Sequence, residues 1–156
     1  MSVRQLHGVG ADGAFAFSGA ECRPWFGHVV GDNDTVAGNL LTGEPVVAKT
    51  AAHEATAAVA GTVADLPLAE RLINALAAGH AEGGDKREEL HVQSAALVVR
   101  TTEDREMEPC YNDLRVDATE TPVENLRGTC ELAREGFEIA VERYADTHAE
   151  GDEAGT

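Results

Sequence analysis

Lysine is nearly missing from this sequence: Lys49 and Lys86 are the two lysines among twelve basic residues, set against 28 Asp and Glu. The formal net charge of −16 repels phosphate backbones and anionic bilayers, so neither nucleic acid nor a membrane is an expected partner. Aromatic residues are equally scarce, at 4%, and the apolar content of 43% is carried by small residues. An acidic, lysine-poor surface over such a core suits a salt-rich cytosol, where ions screen self-repulsion, and adaptation to salt is the expectation. High net charge often signals disorder, but here the charges are interleaved with Ala, Val and Leu at helical and strand spacing. Cysteine is limited to Cys22, Cys110 and Cys130, an odd number without a C-x-x-C pair, which argues against a disulfide framework and a zinc site and for a reducing cytoplasm. Met1 to Gln5 holds no apolar signal core and no apolar run reaches membrane-spanning length, so a cytoplasmic protein is expected. At 156 residues the chain suits a single domain, placed at 1–148, with an acidic disordered tail at 149–156.

Local patterns give the elements. Val3 to Val9 and Ala14 to Phe17 read as a hairpin about Ala11-Asp12-Gly13, with Asp-Gly supplying a positive φ. Ser18 to His28 is irregular, because Gly19, Pro24 and Gly27 interrupt either regular element, and it holds the lone Trp25. Gly31 to Asp34 is a turn, and Thr35 to Leu41 a short strand interrupted at Gly38-Asn39. Helix signals begin at Thr42-Gly43-Glu44-Pro45, giving a helix from Val46 to about Ala60. A second helix follows Asp65, with Leu68, Leu72, Ile73 and Leu76 as its apolar stripe, and ends near Gly79. Ser94 to Val99 is a continuous apolar run suited to a central strand, and Cys110 to Val116 an alternating one with Tyr111, Asp113, Arg115 and Asp117 on its polar face. Thr121-Pro122-Val123-Glu124 reads as a capping box opening a helix to about Thr147, with Leu126, Cys130, Ala133, Phe137, Val141 and Tyr144 as its stripe. Strands, two helices, two strands and a long helix imply an α+β fold, with helices layered on an antiparallel or mixed sheet.

Candidate chemistry is sparse. Gly83-Gly84-Asp85-Lys86-Arg87, followed by Gln93, combines glycines, an acid, two bases and a carboxamide. Such a turn can hold a small anionic or amide-bearing molecule, Lys86 as a point charge and Arg87 as a planar fork; it can equally be a helix stop whose aspartate accepts backbone N–H bonds. Asp113 and Arg115, on one strand face, either orient a substrate or pair with each other. Asn39 can lend an amide to an oxyanion hole or hold the following turn. Trp25 with His28 lines a pocket or joins the core. Asp32 and Asp34 lack the glycine and glutamate of a calcium loop, so no metal is expected, and no cofactor motif is present. Cys22 is expected to be buried and inert. No spacing among His28, His53, His80, His91 and Ser94 marks a triad.

Taken in order, Phe17-Ser18-Gly19-Ala20-Glu21-Cys22 with Trp25 and Gly27-His28, Gly38 to Gly43, Leu68 to Leu72 with Ala75-Leu76 and Ala78-Gly79, Gly83 to Arg87, Gln93 to Leu97 and Asp113 to Asp117 resemble the family of unknown function DUF1028. The resemblance implies a fold like that of the N-terminal-nucleophile (Ntn) hydrolases, a four-layer αββα sandwich, and amide-bond hydrolysis. Two departures stand out. Glu88 to Val92 separates the charged turn from Gln93, whereas the family runs almost directly from one to the other. Family members also carry a hairpin and helix before the counterpart of Val3, so the sandwich is expected to be incomplete at its N-terminus and the implied nucleophile absent. Ser2, exposed by removal of Met1, is the remaining candidate for a first-residue nucleophile whose α-amine acts as base. The expected activity is therefore hydrolysis of a small-molecule amide, impaired by the missing segment. The alternative is a non-catalytic domain binding a small amide or carboxylate at Asp85 to Arg87, with exposed strand edges favouring a homodimer.

Overall fold

Leu6, Phe15 and Phe17 fall on one face at period two, and the segment forms a hairpin of β1 (Gln5–Gly10) and β2 (Gly13–Ser18), in register from Gln5↔Ser18 to Gly10↔Gly13. Ala11-Asp12 forms its turn, and the positive φ of +127° falls on Gly13. A computed structural model describes residues 4–59, 66–87, 91–100, 104–105 and 107–153. The later elements are β3 (Phe26–Val30), β4 (Thr35–Asn39), α1 (Glu44–Val59), α2 (Leu68–His80), β5 (Gln93–Val98), β6 (Asp113–Thr119) and α3 (Pro122–Glu153). Among the described residues the strands form three antiparallel pairs, β1–β2, β3–β4 and β5–β6, so the fold is α+β with the expected order of elements. The chain divides into two compact units, 1–92 and 93–156.

In the first unit, β3 begins at Phe26, inside the segment expected to be irregular, and β4 passes through Gly38 uninterrupted. The reason is steric. Gly27 pairs with Gly38, and a Cβ on Gly27 would lie 2.4 Å from the Trp25 ring, one on Gly38 2.2 Å from Leu41 Cδ1. The glycines leave the ladder intact and make room for two large side chains above it.

The face of β1–β2 that carries Gln5, His7 and Ser18 meets the face of β3–β4 that carries His28 and Thr35. Helix α1 packs against β3, β4 and α2. The core of this unit contains Cys22, Val46, Val47, Ala69, Ile73 and Ala75, and each fully buried Val or Ile contributes roughly 1.5–3 kcal/mol. On α2 the expected stripe is corrected: Ile73 is buried, but Leu68, Leu72 and Leu76 are exposed while Ala69, Ala75 and Gly79 face inward. Small residues win the inner face because α1 lies too close for leucine; a Cβ on Gly79 would sit 2.6 Å from Val46 O.

In the second unit, β5 pairs with β6 and α3 packs on both. The apolar run expected to be a central strand is half exposed: Leu97 is buried and Val98 open to solvent, as befits a strand covered on one face. Cys110–Asn112 forms a 3₁₀ turn where strand was expected, so β6 begins at Asp113 and places Asp113, Arg115 and Asp117 outward and Leu114 inward. The core joins Leu97 and Leu114 to Val123, Leu126 and Cys130 of α3, and the Tyr111 and Phe137 rings meet edge to face at 5.7 Å. The start of α3 differs from a capping box: the Thr121 N–H donates to Thr119 Oγ1 (3.3 Å), which takes the part expected of Glu124, and the Thr121 hydroxyl donates to Asn125 Oδ1 (3.4 Å). The helix runs past Thr147 to Glu153, and the end of the acidic tail lies outside the described residues.

Candidate functional site

The charged turn follows α2 directly. Gly83 and Gly84 both have positive φ, +111° and +54°, and a Cβ on the first would lie 2.6 Å from Thr42 Oγ1, one on the second 2.9 Å from His80 Nδ1. Thr42 clamps the turn, donating its N–H to Gly84 O (3.0 Å) and its hydroxyl to Glu82 O (3.2 Å). Beyond it, Leu41 bridges Asp85, and the Lys86 N–H donates to Leu40 O (2.9 Å).

All three charges of the turn have partners within the chain. The Arg87 guanidinium forks onto Asp85, Nε lying 2.8 Å from Oδ1 and 2.9 Å from Oδ2 while Nη2 also donates to Oδ2, and the Arg87 backbone N–H donates to Oδ1 at 2.9 Å. The hydrogen bond from the Arg87 side chain, with lesser help from its backbone N–H and its charge, holds the Asp85 carboxyl below the usual aspartate range against the opposing effect of burial. The Lys86 ammonium donates to Pro24 O.

Asn39 lies beside this turn. Its Oδ1 accepts the Arg23 N–H at 2.9 Å, which leaves the amide hydrogens as what it can offer an oxyanion. The next residue, Leu40, has a φ of +60°; it is the extra residue of a bulge, since Phe26 pairs with Asn39 while Trp25 and Leu41 exchange backbone hydrogen bonds. Asn39 and Asp85 to Arg87 are thus gathered around Leu40 and Leu41.

In the second unit the expected residues are dispersed. Gln93 pairs with Thr119 and Asp113 with Val98, at opposite ends of β5–β6. Asp113 and Arg115 choose other partners: Arg100 Nη2 lies 2.7 Å from Asp113 Oδ2, and Arg115 Nε 2.6 Å from Asp117 Oδ2. Hydrogen bonds from Arg115 first and Ser94 second lower the Asp117 carboxyl, and Asp117 in turn raises Arg115. Ser94 alone opposes Asp117 and Ala118, and Ala118 has a φ of +52°, a second bulge. An open cleft of about 540 Å³ lies between β6 and α3, lined by Asp117, Thr119, Glu124, Asn125 and Thr129 among others.

Ser2 lies outside the described residues, as do residues 88–90 of the insertion before Gln93. Cys22 is buried with its thiol donating to Arg4 O (2.9 Å), and Trp25 is half buried over Gly27. Among the described residues no group of three or more His, Cys, Asp or Glu is placed to hold a metal ion, and no helix is long and apolar enough to cross a membrane.

Residue spacing did not reveal one polar cluster. Ser18 Oγ lies 3.0 Å from His28 Nδ1, His7 Nδ1 2.9 Å from Thr35 Oγ1, and Gln5 Nε2 3.1 Å from Ser18 Oγ, 3.2 Å from Gly27 O and 2.8 Å from Gly38 O. The signal available in the sequence was period two: Gln5 and His7 share a face of β1, and Ser18 stands opposite Gln5. Which face of the second hairpin they would meet was not written locally.

The family of unknown function DUF1028 matches residues 1–126, most of the chain, and the protein belongs to that family. Neither a curated protein nor a solved structure matches it.

Proposed function

We propose that this chain is a hydrolase of small-molecule amides, built on the layered scaffold that its resemblance to Ntn hydrolases implies. The observation that carries the reading is the layering of the first unit, in which α1 covers one hairpin and a second hairpin meets the other through polar side chains. A helix packed on one hairpin that in turn meets a second hairpin is compatible with part of an αββα sandwich. Hydroxyls, imidazoles and a carboxamide between two β layers are the groups from which acyl-transfer sites are assembled. The test is a panel of small amides incubated with the protein in molar KCl and read by mass spectrometry. Release of acid and amine above the buffer blank is expected. A folded protein that turns over none of them overturns the reading.

Binding of a small amide or carboxylate without turnover is the second reading, and the cleft of about 540 Å³ in the second unit favours it. It predicts a raised melting temperature with a panel member that is recovered unchanged.

A further inference from the structure

We propose that Ser18 is a nucleophile and His28 its general base, a hydrolytic pair between the two hairpins of the first unit. The reaction class rests on the amide-hydrolase reading above, and the residues rest on geometry alone. Ser18 Oγ and His28 Nδ1 stand 3.0 Å apart, within reach for direct proton transfer.

Gln5 decides which way the hydrogen points. Its Nε2 lies 2.8 Å from Gly38 O and 3.2 Å from Gly27 O, and carbonyls only accept, so the end of the carboxamide facing them is the NH₂. That same NH₂ is 3.1 Å from Ser18 Oγ and offers no acceptor for the serine hydrogen. The hydrogen is therefore directed to His28 Nδ1, which sets the imidazole in the tautomer protonated at Nε2. Ser18 donates to a base and accepts from an amide, an arrangement that removes its proton and steadies the charge growing on Oγ.

The scaffold under the pair is regular. Ser18 ends β2 opposite Gln5, and the Gly19 N–H donates to Arg4 O at 2.7 Å, which fixes the chain just beyond the serine. Ser18 is half buried and His28 exposed, so a small acyl group can approach and the imidazole can exchange protons with solvent.

In the acylation step Ser18 Oγ bonds to the substrate carbonyl carbon while its proton passes to His28 Nδ1. The C–N bond of an amide, or the C–O bond of an ester, then breaks, and the leaving group takes that proton. Water attacks the acyl-serine, gives a proton to His28, and releases the carboxylic acid as Oγ recovers its hydrogen.

A fluorophosphonate probe applied to the full chain in molar KCl, with the adduct located by tandem mass spectrometry, tests the assignment. The adduct is expected on Ser18, absent in Ser18→Ala and formed at least ten-fold more slowly in His28→Asn, both checked for folding by circular dichroism. Should either variant fail to fold, the position of the adduct in the parent protein decides. A folded parent that is unlabelled, or labelled elsewhere, overturns the assignment. Amide turnover that survives in Ser18→Ala also overturns it and leaves the hydrolase reading standing, whereas labelling of Ser18 without any amide turnover supports the pair and overturns amides as its substrates.

Discussion

Replacing Gly79 by alanine sets two effects against each other, and the structure says which wins. Alanine is the better helix former by about 1 kcal/mol, and Gly79 lies inside α2, so propensity alone predicts a gain. The new Cβ, however, would stand 2.0 Å from Thr50 Oγ1 and 2.6 Å from Val46 O of α1. Thr50 cannot simply rotate away, since its hydroxyl already donates to Val46 O at 2.8 Å, and a backbone carbonyl yields only if the whole helix moves. Overpacking of this kind costs about 1–3 kcal/mol, enough to cancel the propensity gain and leave a net loss of up to about 2 kcal/mol. Urea unfolding followed by fluorescence of Trp25, the lone tryptophan, reads the first unit selectively. The midpoint for Gly79→Ala should fall, and Thr50→Ala in the same chain should restore only part of it, because the contact with Val46 O remains. Gly136→Ala in α3 is the control: its Cβ would meet nothing within 4 Å, so propensity acts unopposed and the far-ultraviolet transition should gain about 0.5–1 kcal/mol. A Gly79→Ala protein more stable than its parent, by the full propensity gain, would refute the close approach of α1 and α2.

Three further outcomes are expected. The carboxyl of Asp85 is lowered below its ordinary value of 3.8, so the stability it contributes is present above that pH and lost as pH falls through the lowered value. Asp85→Asn should therefore cost about 1 kcal/mol at pH 7 and flatten the acid limb of the urea midpoint, and an unchanged acid limb would show that the Arg87 fork is not formed. With a net charge of −16, melting temperature should rise between dilute and molar KCl as the screening length falls from about 10 Å at 0.1 M to about 3 Å; equal melts would remove the case for salt adaptation. Iodoacetamide should modify exposed Cys110 in the folded protein and reach buried Cys22 and Cys130 only after unfolding, so early modification of either buried thiol would contradict the packing around it.

Local chemistry made much of the fold legible. Period-two alternation identified the β1–β2 hairpin, and Thr-Pro before an apolar stripe located α3, because both signals act within a few residues. The misses share one cause, dependence on distant neighbours. Gly27 and Gly38 look like breaks until Trp25 and Leu41 are seen to need their space. Leu68, Leu72 and Leu76 outweigh Ala69, Ala75 and Gly79 on any hydropathy scale, yet proximity to α1 selects the small residues for the inner face. Among the candidate residues, Asp85 to Arg87 and Asn39 were traceable from turn chemistry. Ser18 and His28 were not, because their contact exists only once two hairpins meet.

Those neighbours also change what the charged turn can do. For a carboxylate ligand to engage Arg87 it must displace Asp85, which already satisfies the guanidinium with two oxygens and is tied to the Arg87 backbone as well. The exchange replaces an intramolecular partner held at high effective concentration with a free one, and it strands a carboxylate that is largely shielded from solvent, with 19% of its side chain exposed. Lys86 is similarly committed to Pro24 O, so the turn joins α2 to the segments before β3 and after β4 more readily than it receives a ligand. Ser18 and His28 face the opposite situation. Their mutual contact is the ground state of the proposed proton transfer, so a substrate does not have to break it in order to bind. Chemistry is therefore better supported between the hairpins than at the turn, although the turn is where the charges are concentrated.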